Sequence, residues 1–339
     1  MKTSIKDIAR EAGVSDTAVS LAFKGSSRIT EQTREKIFAT AKRLRYVPNS
    51  AAQNLRSGKT NTIGFIVNDI SNPFYSLMIK EAEEKLNSMG LEMLIASSNW
   101  DIDRETKLIE KMVQMRVQGI IICFCEKSAR SIELLNGFSV PHVAVDSYPD
   151  FYNGAYVAND FGACGKMVAE HLYEIGCRNP GIINADKTMT EFSAFKKTFF
   201  AFQKFFNDKG IMLKKKNIVE AGLTIEAGGN AFKTLAKNAF DADGFFCAND
   251  LCAMGFMELA EQNSLKIGKD IALIGIDDIA LAAFTKISLT SIKQPYALIA
   301  HEAVNIITEN IHQKNTAKVQ MEFNPELKKR NSTMLYSHK

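Results

Sequence analysis

From Thr62 onward the chain alternates short, nearly unbroken apolar runs with amphipathic stretches of helical period, and it does so in two sets. The first set is TIGFIVN, LEMLIAS, VQGIIICF and HVAVD; the second, after Ala158, is GIINA, NIVEA, GFFCA and IALIGID. A strand with no polar face must be covered on both sides, and helical crossovers supply that cover, so each set reads as a parallel sheet flanked by helices. Two sets imply two α/β lobes. Open sheets of this kind bind ligands beyond the carboxyl ends of their strands, which points to a cleft between the lobes. At 339 residues the chain is also longer than one core ordinarily serves.

The first part of the chain follows a different rule. Ser4, with Asp7 three positions on, is a helix-start signature; Ile5, Ile8, Ala9 and Ala12 recur at helical spacing, and Gly13 ends the run. Ser15 caps a second helix whose apolar face is Ala18, Val19, Ala22 and Phe23, closed by Lys24-Gly25. Only Gly13 and Val14 separate the two, so the helices must cross steeply, as in a helix-turn-helix. A third helix starts at Thr30 with Ile37, Ala41 and Leu44 on its buried side. In such a module the second helix enters the major groove by its N-terminal end, where Asp16, Thr17, Ser20 and Leu21 are the exposed positions. Two amphipathic helices around a glycine also occur in bundles that touch no DNA, and here charge separates the cases. Residues 1–58 carry eleven Lys and Arg against five Asp and Glu, a net +6, whereas the whole chain carries +4 and the other 281 residues therefore −2. A basic head on a slightly acidic body is the asymmetry of a nucleic-acid-binding module fused to something else.

Between them, in YVPNSAAQNLRSGKTNTIG, Pro48 forces an extended approach, Asn49 can cap a short helix from Ser50 to about Arg56, and Gly58 stops it. A helix of barely two turns is not stable alone in water, so this segment needs a partner.

The head stretch IKDIAREAGVSDTAVSLAFKG, the Tyr-x-Pro-Asn junction that follows it, and the later CANDLCAMG, LIGIDDIALA and SIKQP resemble, in order and over nearly the whole chain, the lactose-repressor and galactose-repressor (LacI/GalR) family of bacterial transcription regulators. The resemblance implies an all-α helix-turn-helix headpiece over 1–47, a hinge helix and linker over 48–61, and an α/β core of two parallel-sheet lobes resembling periplasmic sugar-binding proteins. The N-terminal lobe would comprise 62–158 plus about 294–318, the C-terminal lobe 159–293 plus about 319–339. DNA contacts are implied for Ser15, Asp16, Thr17, Ser20 and Leu21, and for Asn49, Ala52 and Leu55 of the hinge, with Leu55 wedged between base steps in the minor groove. Effector contacts are implied for Phe74, Asp160, Phe195, Leu223, Asn249, Asp277 and Gln294. Asn72-Pro73 reads as an N-cap with a first-turn proline. In Asn249-Asp250 and Asp277-Asp278 one member is expected to cap the next helix while the other faces the cleft, and the resemblance makes Asn249 and Asp277 the cleft-facing ones.

The departures matter as well. Phe195 stands where the family usually places an arginine, and Leu223 where an aromatic ring is frequent, so an arginine fork for hydroxyls and a ring face for a sugar are both absent. Leu21 stands where the family often has Arg or His; leucine cannot bond guanine bidentately but can touch a thymine methyl.

Enzyme signals are poor. EAGGNAF has neither Walker nor dinucleotide spacing, and the five histidines are dispersed with no nucleophile motif around them. Six cysteines lie scattered in apolar runs without a Cys-x-x-Cys pair and read as reduced core thiols, the Cys123 and Cys125 pair included. FFAFQKFF, residues 199–206, reads as a helix packed into core or a dimer seam. No apolar run of membrane length occurs, and the amphipathic start after Met-Lys-Thr, in place of a charged start with a long apolar run, leads to the expectation of a soluble, unexported chain. The expectation is a cytoplasmic homodimeric regulator, without metal or cofactor, that represses from a pseudopalindromic operator under control of a small-molecule effector, possible sugars included. A regulator controlled by a partner protein, and a non-regulatory ligand-binding protein, are the alternatives.

Overall fold

In a computed structural model of the chain, residues 3–23, 25–46, 60–186, 192–313 and 318–338 are described. The chain divides into two compact units, Met1–Lys59 and Thr60–Lys339.

The described part of the first unit is three helices, α1 (Ile5–Ala12), α2 (Asp16–Phe23) and α3 (Glu31–Arg43). Ser4 and Asp7 form a reciprocal capping box at α1, and Gly13 closes it at φ 63°, a left-handed conformation that an L side chain resists. Ser15 Oγ accepts the Ala18 N–H at 3.1 Å, and Thr30 Oγ1 accepts that of Thr33 at 3.3 Å, so the next two helices also start on hydroxyl caps. Ile8, Ala12, Val19, Ala22 and Ile37 are buried in one small core, with Phe23 and Leu44 packed at its edge.

In the second unit, β1 (Thr62–Val67), β2 (Glu92–Ser97), β3 (Gly119–Ile122), β4 (His142–Val145), β5 (Tyr156–Asn159) and β11 (Gln320–Phe323) form one six-stranded sheet in the order β11-β5-β4-β3-β1-β2. A second contains β6 (Pro180–Asn184), β7 (Ile218–Glu220), β8 (Gly244–Cys247), β9 (Ala272–Ile276), β10 (Thr290–Lys293) and β12 (Glu326–Lys328) in the order β12-β10-β9-β8-β6-β7. The two orders superimpose strand for strand, β1 on β6 through β5 on β10 and β11 on β12. The first sheet is parallel throughout, and in the second only β12 runs antiparallel, against β10. Alternate residues of β1 show why both faces need cover: Ile63, Phe65 and Val67 enter the core under α4 (Pro73–Ser88) and α11 (Tyr296–Gln313), while Ile66 enters the opposite core under α5 (Ile102–Gln114) and α6 (Ala129–Gly137). The second sheet is covered likewise by α7 (Phe161–Glu174) and α8 (Ser193–Asp208) on one face and α9 (Ile225–Lys237) and α10 (Asp250–Gln262) on the other.

Within these pairs the helices meet backbone to backbone. A Cβ on Gly165 would lie 1.9 Å from the Thr198 carbonyl oxygen, and one on Gly228 the same distance from that of Cys252. Phe202 and Phe206 are fully buried in the core under α8 while Phe200 is exposed, so the aromatic run is mainly core.

The chain passes between lobes after β5, after β10 and after β11, and because β11 lies beside β5 and β12 beside β10, the three passages are neighbours. The last differs from the sequence expectation. Residues 320–323 belong to the first sheet, paired with Tyr156–Asn159, rather than to the C-terminal lobe. QMEF is an edge strand with alternating exposure, and it lacks the continuous apolar run that marked the other strands.

Candidate functional site

Equivalent strands of the two lobes end in the same way. β4 is followed by Asp146 at φ 59°, and β9 by Asp277 at φ 114°. Positive φ is strained for a residue with a side chain, and such strain persists where surrounding structure holds it. Here it turns a carboxyl group from each lobe into the cleft. Both are almost fully buried, at 7% and 5% exposure.

The partners of these carboxyls come from neighbouring strand ends. Gln294, just beyond β10, donates from Nε2 to Asp277 Oδ1 at 2.7 Å. Asn72 caps α4 by accepting the Phe74 N–H on Oδ1 at 3.0 Å, which leaves Nδ2 to reach across the cleft to Asp277 Oδ2 at 3.2 Å. Tyr75, one residue further along α4, donates its hydroxyl to Asp146 Oδ2 at 3.0 Å. Burial pushes both aspartates up to about 7 against the pull of these bonds, and the charge of Asp146 pushes Asp277 in the same direction.

Around this polar floor the cleft holds a cavity of about 60 Å³ that opens to solvent. Its walls are largely aromatic, with Phe74, Trp100, Phe161, Phe192, Phe195 and Phe199 among the lining residues, and among the described residues no Lys or Arg lines it. Trp100, from the first lobe, meets Phe192 edge to face at 5.0 Å and Phe195 at 6.3 Å, both from the second. At the same edge Ser193 donates its N–H to Glu126 at 2.9 Å and its hydroxyl to Asp150 at 2.7 Å, fastening the start of α8 to the first lobe.

Of the residues singled out in the sequence, Phe74, Phe195, Leu223, Asn249, Asp277 and Gln294 line this one cavity. Asp160 does not. Its carboxylate caps α7 by accepting the Ala163 N–H at 2.8 Å, and the next residue, Phe161, lines the cleft instead. The two strand-end pairs, Asn249-Asp250 and Asp277-Asp278, also divide differently from expectation. Asn249 is itself the α10 cap, accepting the Cys252 N–H at 2.9 Å and donating to the Leu223 carbonyl at 2.9 Å, while Asp250 is buried beneath it, bonded to the Ser291 hydroxyl at 2.5 Å and the Ile279 N–H at 2.9 Å. Asp278 caps no helix and pairs with Arg330 at 2.5 Å. Sequence reasoning missed Asp146, Tyr75, Trp100 and Phe192. Asp146 had a signal: HVAVD ends on aspartate at the same strand position as IALIGID.

In the first unit Ser15, Asp16 and Thr17 are exposed at the start of α2, and Ser20 and Leu21 are half-buried on its next turn. Asn49, Ala52 and Leu55 lie outside the described residues. Among the described residues all six cysteines are buried and outside any disulfide, no group of three or more His, Cys, Asp or Glu is arranged to hold a metal, and no helix is long and apolar enough to cross a membrane.

A helix-turn-helix unit followed in the chain by a two-lobed body with a cleft between its lobes defines the class of bacterial transcription regulators with a periplasmic-binding-protein-like core. Residues 4–49 match the family of bacterial regulatory proteins of the lacI type, and 169–333 match the periplasmic binding protein-like domain. The chain is 31% identical to the HTH-type transcriptional regulator DegA of Bacillus subtilis (strain 168), over 98% of both chains, and 28% identical to the HTH-type transcriptional repressor PurR of Pasteurella multocida (strain Pm70), over 96% of both. Its fold matches the crystal structure of the lac repressor dimer bound to operator and the anti-inducer ONPF with a TM-score of 0.86, at 21% identity, covering 98% of this chain and 100% of that one. The chain belongs to the LacI family. It is a DNA-binding transcription regulator of the repressor type, with operator DNA and a small-molecule effector as partners.

Proposed function

We propose that the effector occupies the cleft between Asp146 and Asp277, and that occupancy sets operator affinity by changing how the lobes close. The observation that carries this reading is the Asn72–Asp277 hydrogen bond, which joins the lobes at the floor of the cavity. Any ligand that bonds Asp277 competes with that contact or reinforces it, so it has a different affinity for different lobe arrangements, the condition for control. Ser15, Asp16, Thr17, Ser20 and Leu21 read the major groove, and the segment holding Asn49, Ala52 and Leu55 folds against the minor groove when the operator is bound. Two identical heads related by a dyad read a pseudopalindrome. The protein acts in the cytoplasm, where its DNA is.

The test begins with selection of a binding site by the full chain from random duplexes, then measures affinity for that site with and without metabolites that raise the melting temperature. Asp277→Ala should abolish the effector response. If no metabolite binds and Asp277→Ala leaves regulation in cells intact, a partner protein controls the regulator and the cleft reading fails.

A further inference from the structure

We propose that the cleft ligand is an organic cation, a flat apolar body carrying a protonated amine that sits between the Asp146 and Asp277 carboxyls. This rests on the reading of the cleft as the effector site and deepens it.

The floor is one-sided in charge. Asn72 Nδ2, Gln294 Nε2 and the Tyr75 hydroxyl already donate to the two aspartates, and Asn249 Nδ2 to the Leu223 carbonyl. The Ser147 hydroxyl donates to the Phe124 carbonyl. Each of these amides keeps a second N–H, and Asn184 also lines the cleft, but the only charged groups of the described lining are the two carboxyls. Two carboxylates offer about eight lone-pair positions, of which these bonds fill three. Gln294 Oε1 is a further acceptor, on a side chain only 4% exposed, and has no partner at all. An unmet buried acceptor is costly, and it calls for a donor.

Ligand classes answer this floor unequally. An ammonium group brings three donors, a positive charge and no acceptor. A neutral polyol leaves both carboxyl charges unpaired, and an anion meets two carboxyls with no Lys or Arg among the described lining residues to offset them. Lys197, on α8, is held by Glu322 at 3.8 Å and lies over the Tyr148 ring. The walls complete the class, since Trp100, Phe192, Phe195 and Phe199 offer ring faces and edges to an apolar body and to the cation itself.

Charge also sets a pH dependence. The cation binds the ionised aspartates, so its affinity should rise between pH 6 and 8 as they lose the protons that burial retains. The groups facing them do not interfere, because burial raises Tyr75 and Cys123 beside Asp146, and Cys164 and Asp250 near Asp277, and so keeps each protonated more strongly than usual. Glu126, near the mouth, is raised as well.

Trp100 is the single tryptophan of the chain and lines the cleft, so its fluorescence reports occupancy. The full chain is titrated with phenethylamine, 2-phenylethanol and 3-phenylpropionate, matched in body and different in charge, with D-glucose as a neutral polyol. The amine should bind at least about tenfold tighter than the alcohol, and the carboxylate weakest, as for hydrogen bonds to charged groups. Asp277→Asn and Asp146→Asn, checked by their own unfolding curves, should each cut amine affinity about tenfold and leave the alcohol within about twofold. Equal or reversed ranking, unchanged amine affinity in both variants, or a response to glucose alone overturns the cation assignment and leaves the cleft as the effector site. No response of Trp100 to any probe overturns the cation assignment as well, and the metabolite screen described above then decides whether the cleft reading falls with it.

Discussion

Replacing Asp277 by asparagine should stabilise the ligand-free protein at alkaline pH and do almost nothing at acid pH. The folded value near 7 stands above the ordinary 3.8, so between these limits the native state keeps a proton that the unfolded chain has lost. Stability therefore falls as pH rises through this window, and above about 7 the whole penalty is present. At 1.36 kcal/mol per pH unit the interval is worth about 4 kcal/mol, an upper bound that relaxation and water in the cleft reduce to about 2 to 4 kcal/mol. Asparagine keeps the shape and carries no charge. Gln294 can turn its amide so that the unpartnered Oε1 accepts from the new side-chain NH2, and Asn72 continues to donate to the remaining oxygen. The assay is urea unfolding of wild type and variant at pH 5 and pH 8, read as the change in their difference. Using the difference matters because burial lowers His142, and lowers His171 to about 4, and these histidines make stability rise with pH in both proteins. A variant that gains no more at pH 8 than at pH 5, or loses stability at both, would refute the reasoning. Asp146→Asn should behave similarly, and the double variant should gain less than the sum because each charge raises the other's cost.

Three further outcomes are expected. Operator affinity of the dimer should fall steeply between 50 and 200 mM salt, since two heads of net +6 displace several counterions; a flat salt dependence in an anisotropy titration would remove the head from the contact. Leu55→Ala should weaken operator binding by a few kcal/mol and random-DNA binding far less, because a wedge acts only where base steps open, and equal losses on both would show that Leu55 is not one. Gly165→Ala should destabilise the body by about 1 to 3 kcal/mol or prevent folding, because its methyl would sit 1.9 Å from the Thr198 carbonyl oxygen; an unchanged urea midpoint would contradict that close crossing.

Continuous runs such as GFIV and ALIGI identify buried strands on their own, because no other element of that length is apolar on every side, and Ser4, Ser15 and Thr30 identify helix starts by their hydroxyls. Cleft residues that follow such strands, Asn249, Asp277 and Gln294, were legible for the same reason: where a strand ends, the next side chains face the cleft. Asp160 occupies a similar place and was misread, because a carboxylate at a helix start can either cap or bind and sequence does not distinguish the two. Tyr75 and Trp100 were illegible in a stricter sense. Tyr75 matters because of Asp146, seventy-one residues away, and Trp100 because α8 arrives from the other lobe to meet it. No local pattern encodes either encounter. Gln320–Phe323 was missed because an edge strand with one wet face looks, over four residues, like a loop.

The three adjacent passages between lobes have a mechanical consequence. Two bodies tied by one thread can twist and separate freely, whereas three threads along one edge act as a strap that resists twisting and leaves swinging about that edge as the easy motion. A protease that cut only the Phe323–Glu326 passage would sever the backbone yet leave the lobes tethered through the other two, so the nicked protein should migrate as one species until it is unfolded.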